Sequence, residues 1–87
     1  MMSEAFKESL RRFIIERFMG GKGSVADEDS LFAAGILDSF GMLELIAFLE
    51  KERGLVVSPG EVTMDNFDSL ERIMRLVRRK DKEDGSR

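Results

Sequence analysis

The sequence predicts an all-α fold, a four-helix bundle with three long helices, a short third helix and a long loop between helices one and two. Apolar residues recur three and four positions apart in three separate segments, which is typical of amphipathic helices. The apolar run at residues 55–57 is too short to indicate a strand. With 87 residues, the chain has room for a single core. We therefore expect one domain over residues 1–80, followed by a disordered polar tail over residues 81–87.

Helix one is predicted over residues 3–19, and Gly20-Gly21 provides its stop signal. A long loop is expected over residues 20–37, because no apolar period is sustained there. Long loops in small domains are often functional. Four apolar residues of this loop should point inward, since exposing all of them would create an aggregation-prone patch. They are Leu31, Phe32, Ile36 and Leu37.

Helix two is predicted over residues 39–53 and ends at Gly54. One apolar stripe consists of Met42, Leu45, Ile46 and Leu49. A second stripe consists of Phe40, Leu43 and Ala47. A helix with two apolar stripes is either central in the core or keeps one stripe for a partner. The sequence leaves both possibilities open for Phe40 and Leu43.

Two capping boxes mark the remaining helices. Ser58 and Glu61 have the spacing of an N-cap and its N3 partner, with a proline between them. A short helix should follow and break at Asp65-Asn66. Asp68 and Glu71 repeat the spacing, which predicts a final helix with Asp68 as its N-cap. Its core face is expected to hold Leu70, Ile73, Met74 and Val77, and its outer face Arg72, Arg75, Arg78 and Arg79.

The composition excludes most catalytic chemistry. The chain contains no His and no Cys, so a serine nucleophile lacks its usual base and no thiolate is available. Zinc sites normally need the same residues. The acidic stretch at residues 27–29 fits no calcium-binding loop and is expected to be a solvated turn. We therefore predict a protein that is not an enzyme, with no catalytic residues and no metal.

The charge distribution favours a basic partner. Residues 21–52 carry seven acids and two lysines, a net charge of −5, within a chain of net charge −3. An acidic pole of this kind disfavours nucleic acid. No apolar segment is long enough to cross a bilayer, and the N-terminus lacks the apolar core of a signal peptide. We expect a cytoplasmic monomer with no membrane insertion.

Asp38 and Ser39 form an unusual polar junction between the apolar pair Ile36-Leu37 and helix two. One interpretation is that the pair simply caps the helix, and local sequence alone favours it. The other is that Ser39 is an attachment point on which another protein acts, since no residue of this chain is suited to activate it. The long anchored loop and the second apolar stripe favour the second interpretation.

The stretch "DSLFAAGILDSFGMLELIAFLEKERG" resembles the core of the carrier-protein family, which includes acyl, peptidyl, aminoacyl and D-alanyl carriers. The resemblance covers residues 5–79 and implies a four-helix carrier-protein bundle. It also implies that a serine after an aspartate, at the start of helix two, receives 4′-phosphopantetheine from coenzyme A. The thiol of that arm would hold an acyl or aminoacyl group as a thioester, which explains how a chain without cysteine could carry such cargo.

The dipeptide alone does not identify the attachment residue, because Asp-Ser-apolar occurs three times. Ser30 is followed by a loop and Ser69 lies at a predicted helix cap. Only Ser39 has Gly35 upstream and a two-striped helix downstream. The resemblance therefore implies attachment at Ser39. It also implies that Asp38, beside it and capping the helix, helps to hold the metal ion that the transferase brings.

The resemblance also implies a set of partners and a face that binds them. The partners are a phosphopantetheinyl transferase, an acyl- or aminoacyl-activating ligase and downstream acyl-transfer enzymes of a fatty-acid, polyketide, nonribosomal-peptide or aminoacyl-transfer pathway. The expected recognition face comprises Phe40, Leu43, Glu44, Ala47 and Glu50. Gly41 and Lys51 stand where fatty-acid carriers commonly place acids, which favours aminoacyl or peptidyl carriers. The alternative is a helical protein-interaction or nucleic-acid-binding domain without a prosthetic group, suggested by the arginine-rich last helix.

Overall fold

The computed structural model describes the backbone of residues 2–85 and the side chains of residues 4–81. Helix α1 covers Met2–Phe18, α2 Ser39–Arg53, α3 Met64–Phe67 and α4 Leu70–Gly85, with a 3-10 turn at Pro59–Glu61. Within residues 2–85 there is no strand. The predicted fold class is confirmed: three long helices and a short third one enclose a single core, and a long loop joins α1 to α2.

The predicted apolar stripes form the core. Helix α1 contributes Leu10 and Ile14, and the first stripe of α2 is buried along its whole length. The core face of α4 is also buried as predicted, and α4 packs against both α1 and α3. Gly54 ends α2 with a φ of 66°, and its N–H donates to the carbonyl of Glu50 at 2.9 Å. The buried stripe of α2 thus belongs to the same core cluster as the buried residues of α1 and α4.

The long loop is held against the bundle at several points. Leu31 and Leu37 are buried as expected, Phe32 and Ile36 are half-buried, and Val25 is a further buried residue that the pattern did not indicate. Burial of these side chains turns an irregular segment into part of the core.

Backbone hydrogen bonds tie the same loop to the start of α4. The Glu71 N–H donates to the carbonyl of Asp27 at 2.9 Å, and the Leu31 N–H donates to the carbonyl of Asp68 at 2.6 Å. The Asp27 carboxylate pairs with Lys7 at 2.8 Å and Arg11 at 2.6 Å, which lowers the pKa of Asp27, Lys7 contributing most. The acidic stretch at residues 27–29 therefore joins the loop to α1.

Two predicted helix boundaries are wrong. The N-cap of α4 is Ser69, whose Oγ accepts from the Arg72 N–H at 3.1 Å. Asp68 is not the cap, because its carboxylate binds the long loop instead. Asp65 and Asn66 do not break a helix but lie inside α3, where the Thr63 hydroxyl accepts from the Asn66 N–H at 3.2 Å. Acidic and amide side chains are tolerated in a capped first turn.

The C-terminal part of α4 crosses residue 80, where the boundary between the domain and the polar tail is predicted. The backbone of α4 is helical to Gly85, and Asp81 forms an ion pair with Arg53 of α2. The side chains of residues 82–85 and the whole of residues 86–87 lie outside the described part, so the division into domain and tail stays a prediction. No helix within residues 2–85 is both long enough and apolar enough to cross a membrane.

Candidate functional site

The Asp38-Ser39 junction is the start of α2, and Asp38 is its N-cap. Asp38 has an extended backbone, and its Oδ1 accepts from the Gly41 N–H at 2.7 Å. Its carbonyl accepts from the Met42 N–H at 2.8 Å. The capping role predicted for Asp38 is therefore confirmed. Ser39 follows as the first helical residue and is exposed.

The three Asp-Ser pairs differ sharply in their surroundings. Ser69 is only 5% exposed and caps α4. Ser30 is half-buried, donates to Asp68 Oδ1 at 2.8 Å and accepts from the Ala33 N–H at 3.1 Å. The Ser39 hydroxyl is exposed and has no hydrogen-bond partner among the described side chains and backbone. Of the three, only the Ser39 hydroxyl is both accessible and uncommitted.

The first turn of α2 is packed tightly on its inner side. A Cβ atom at Gly41 would lie 3.1 Å from side-chain carbons of Leu37 and Phe18, and 3.2 Å from Asp38 Oδ1. The side chains that press on Gly41 thus come from the end of α1, the loop and the cap itself. Any side chain at this position would therefore force its neighbours to shift, which favours glycine beside Ser39.

The second apolar stripe of α2 lies on the surface. Phe40 is 70% exposed and Leu43 is 56% exposed, and Ala47 is exposed one turn further along. The two interpretations left open for Phe40 and Leu43 are thereby resolved against a core position. Large apolar side chains left uncovered beside an exposed serine at a helix start mark a candidate interaction surface. We call Phe40, Leu43 and Ala47 the α2 apolar stripe.

The two acids of the expected recognition face are both engaged within the chain. Glu44 Oε2 accepts from Arg17 Nη2 at 2.5 Å, and its side chain is 25% exposed. Glu50 Oε2 accepts from the Val57 N–H at 3.0 Å and so holds the segment after α2. Glu44 therefore lies beside the α2 apolar stripe in a salt bridge, whereas Glu50 contributes to the local fold at the other end.

A shallow groove lies beside Ser39, between the end of α1 and the start of α2. It is lined by Arg17, Phe18, Gly35, Ile36, Asp38, Phe40, Gly41 and Glu44. Sequence reasoning did not identify Arg17 or Phe18 as part of the site. Their spacing in α1 indicates only which side of the helix they occupy, and the juxtaposition with α2 depends on how the helices pack.

Comparisons with known proteins agree with this geometry. A family profile described as a phosphopantetheine attachment site matches residues 12–77, which include all three Asp-Ser pairs. A D-alanyl carrier protein of Streptococcus suis is 37% identical over 71 residues, covering 82% of this chain and 89% of that relative. D-alanyl carrier proteins of Streptococcus mutans and Streptococcus sanguinis show the same identity and coverage.

These matches cover most of the chain and nearly the full length of the relatives. They establish the prosthetic group as 4′-phosphopantetheine and the protein as a non-catalytic carrier. The alternative of a helical domain without a prosthetic group is therefore set aside. A four-helix bundle, an exposed serine at a capped helix start and the family match lead to one conclusion: the chain belongs to the phosphopantetheine-binding carrier-protein family.

Proposed function

We propose that Ser39 is the residue that carries 4′-phosphopantetheine, and that the arm presents an aminoacyl or acyl group to partner enzymes. The observation that supports Ser39 most directly is its exposure. Its hydroxyl is open to a modifying enzyme, while those of Ser30 and Ser69 are engaged in hydrogen bonds that hold the fold together. When bound, the arm supplies a thiol that can hold cargo as a thioester.

The residues around Ser39 suit a phosphodiester. Within the described residues, the N–H groups of Ser39 and Phe40 donate to no protein acceptor, because the first N–H groups of a helix have no carbonyl one turn before them. Asp38 accepts from the next two, those of Gly41 and Met42. Free N–H groups and the positive end of a helix favour a negative charge on the first turn. The hydrogen bond from the Gly41 N–H holds the Asp38 carboxylate against the first turn of α2.

The attachment step can be written with its atoms balanced. The Ser39 oxygen forms a bond to the phosphorus that bears the pantetheine unit of coenzyme A. The phosphoanhydride bond of coenzyme A breaks, and adenosine 3′,5′-bisphosphate leaves. The hydroxyl proton passes to a base of the transferase, because the chain contains no His or Cys and the Asp38 carboxylate accepts from the Gly41 N–H.

The cargo proposed is an aminoacyl group. The relatives named above are D-alanyl carrier proteins, and they are matched over nearly their whole length. By analogy, a ligase that activates D-alanine would load the thiol, and an acyltransferase would unload it. A fatty acyl cargo is the alternative, and a loading assay distinguishes the two.

The α2 apolar stripe is proposed as the docking face for these enzymes. Its exposure beside Ser39 supports this role, since an enzyme that reaches Ser39 would cover Phe40 and Leu43 as well. Glu44 would add attraction to a basic partner surface. Glu50, which already holds the Val57 N–H, would contribute charge more than direct contact.

Attachment is tested by incubating the protein with coenzyme A and a phosphopantetheinyl transferase of broad specificity. The intact mass should increase by one phosphopantetheine unit, and fragmentation should place it on Ser39. Ser39→Ala should gain no mass, whereas Ser30→Ala and Ser69→Ala should still be modified if circular dichroism shows them folded. Attachment found on Ser30 or Ser69 in the wild-type protein would contradict the proposal.

Cargo is tested on the modified protein with ATP, a D-alanine-activating ligase and D-alanine, L-alanine or a fatty acid. A mass increase specific to D-alanine, reversed by hydroxylamine, is the expected result. Loading by a fatty-acid-activating ligase, with no aminoacyl loading, would assign the carrier to the acyl class instead.

A further inference from the structure

The groove next to Ser39 contains one basic side chain. Its lining residues include both chain neighbours of Ser39, namely Asp38 and Phe40, together with Arg17 from α1. A group bonded to Ser39 therefore starts at the rim of this groove. Among the groove-lining residues Arg17 is the only one with a positive charge, alongside the carboxylates of Asp38 and Glu44.

Arg17 is held in place by Glu44 yet keeps donors available. Its Nη2 atom donates to Glu44 Oε2 at 2.5 Å, and its side chain is 54% exposed. A guanidinium has five N–H donors in a planar fork, which suits bidentate binding of phosphate oxygens. In the described part of the chain, the other donors of Arg17 have no partner. One carboxylate thus holds the guanidinium, and its remaining donors stay available to a ligand.

The rest of the groove is apolar. Phe18 and Ile36 are half-buried and Phe40 is exposed. The phosphate of the arm is followed by a methylene and then a carbon bearing two methyl groups, and this apolar unit gains by contact with apolar side chains. The arm presents an anion followed by a branched apolar unit. The groove offers the Arg17 guanidinium next to apolar side chains, so the two are complementary.

We propose that this groove is the resting site of the phosphate end of the arm, with Arg17 as the residue that binds the phosphodiester and Glu44 as the residue that positions Arg17. The inference rests on attachment at Ser39. It assigns to the modified carrier a preferred arm orientation toward α1, in place of an arm that extends freely into solvent.

The test uses ³¹P NMR and backbone amide shifts of the modified protein. Wild type, Arg17→Ala and Arg17→Lys are compared with Arg12→Ala, which removes an exposed arginine of α1 outside this groove. Intact mass confirms single attachment in every variant before the spectra are recorded. A lack of attachment to the wild type would overturn the proposed function and this inference together.

With attachment established, the ³¹P resonance should shift in Arg17→Ala, shift less in Arg17→Lys and stay unchanged in Arg12→Ala. Modification of the wild type should perturb the amides of residues 17–18 and 35–36, and these perturbations should vanish in Arg17→Ala. Added salt should move the wild-type resonance toward that of Arg17→Ala, because it screens the ion pair. Equal ³¹P resonances in all variants, with amide changes confined to residues 38–41, would overturn the inference and leave attachment at Ser39 intact.

Discussion

The side chains of Ser30 and Asp68 form a 2.8 Å hydrogen bond that joins the long loop to the junction of α3 and α4. The same Asp68 oxygen accepts from the Phe32 N–H at 3.2 Å, so one carboxylate organises the turn that precedes Leu37 and the start of α2. This arrangement explains how an irregular segment of the chain can hold Ser39 in a defined place.

Replacing Asp68 should therefore loosen the loop. Asp68→Ala leaves the Ser30 hydroxyl and the Phe32 N–H without their acceptor, and we expect a loss of about 1–3 kcal/mol in the free energy of unfolding. Asp65→Ala is the control, because Asp65 is exposed and its carboxylate, among the side chains of residues 4–81, pairs with Arg72 alone at 2.8 Å. Urea denaturation measures both. Equal losses in the two variants would show that the loop does not depend on Asp68.

The two stripes of α2 should respond in opposite ways to truncation. Leu49 is fully buried, so Leu49→Ala should cost about 2–5 kcal/mol of stability. Leu43 is 56% exposed, so Leu43→Ala should change stability by no more than about 0.5 kcal/mol and should instead slow arm attachment. Denaturation and modification rates separate the two effects. A large stability loss in Leu43→Ala would mean that the second stripe is part of the core.

Adding a single methyl group at Gly41 should not stabilise the protein. Alanine normally favours a helix by about 1 kcal/mol over glycine, but overpacking against Leu37 and Phe18 costs about 1–3 kcal/mol. We expect Gly41→Ala to be neutral to destabilising by about 2 kcal/mol. Gly60→Ala is the control, since no atom lies within 4 Å of its Cβ position, and it should stabilise by about 0.4–1 kcal/mol. A clear stabilisation by Gly41→Ala would contradict the packing described.

Glu61 should make stability depend on pH in the acid range. Hydrogen bonds from Ser58, the backbone N–H first, and the ion pair with Lys80 lower the pKa of Glu61 from 4.5 to about 2. A lowered pKa stabilises the folded state above pH 4.5, and this contribution is lost as the pH falls toward 2. Glu61→Gln should thus be less stable than wild type near pH 7, and the gap should shrink between pH 4.5 and 2. A gap independent of pH would show that the charge of Glu61 is not responsible.

Reversing the charge of Glu44 should slow arm attachment with a small effect on the fold. Glu44→Lys replaces the salt bridge with a repulsion of Arg17, and exposed pairs contribute about 0–1 kcal/mol. The slowing should diminish as salt rises, because salt screens the attraction in the wild type as well. Glu52→Lys, at an exposed position of the same helix, makes an identical change in net charge. Equal slowing by both would indicate a general charge effect and place the docking face elsewhere.

Helical periodicity was sufficient to predict α1, α2 and α4, because their buried faces recur at helical spacing and the hydrophobic core depends on that spacing. Asp38 was identified for the same local reason, since a cap bonds within its own first turn. The cap of α4 was misassigned because Asp68 and Ser69 are both good caps locally. Ser30, from the distant loop, binds the Asp68 carboxylate, and Ser69 is then the residue that caps α4.

The surroundings of Ser39 were only partly accessible to sequence reasoning. The exposure of Phe40 depends on how α2 is rotated about its axis, and its two apolar stripes left that rotation open. The Arg17–Glu44 pair joins side chains 27 residues apart, and nothing in either helix alone indicates the pairing. Gly41 could have suggested close packing, since glycine inside a helix usually has a packing or functional reason.

The burial of Ser69 and the hydrogen bonding of Ser30 affect which serines a modifying enzyme can reach in folded and unfolded molecules. An unfolded chain would offer three Asp-Ser-apolar segments of similar local chemistry, whereas the folded chain offers one. With the arm on Ser39 as proposed, the choice of serine is made by tertiary structure, and the transferase recognises the folded surface around α2. Misfolded molecules lack that surface and should remain unmodified, so the fraction of molecules that acquire an arm becomes a measure of the native fraction.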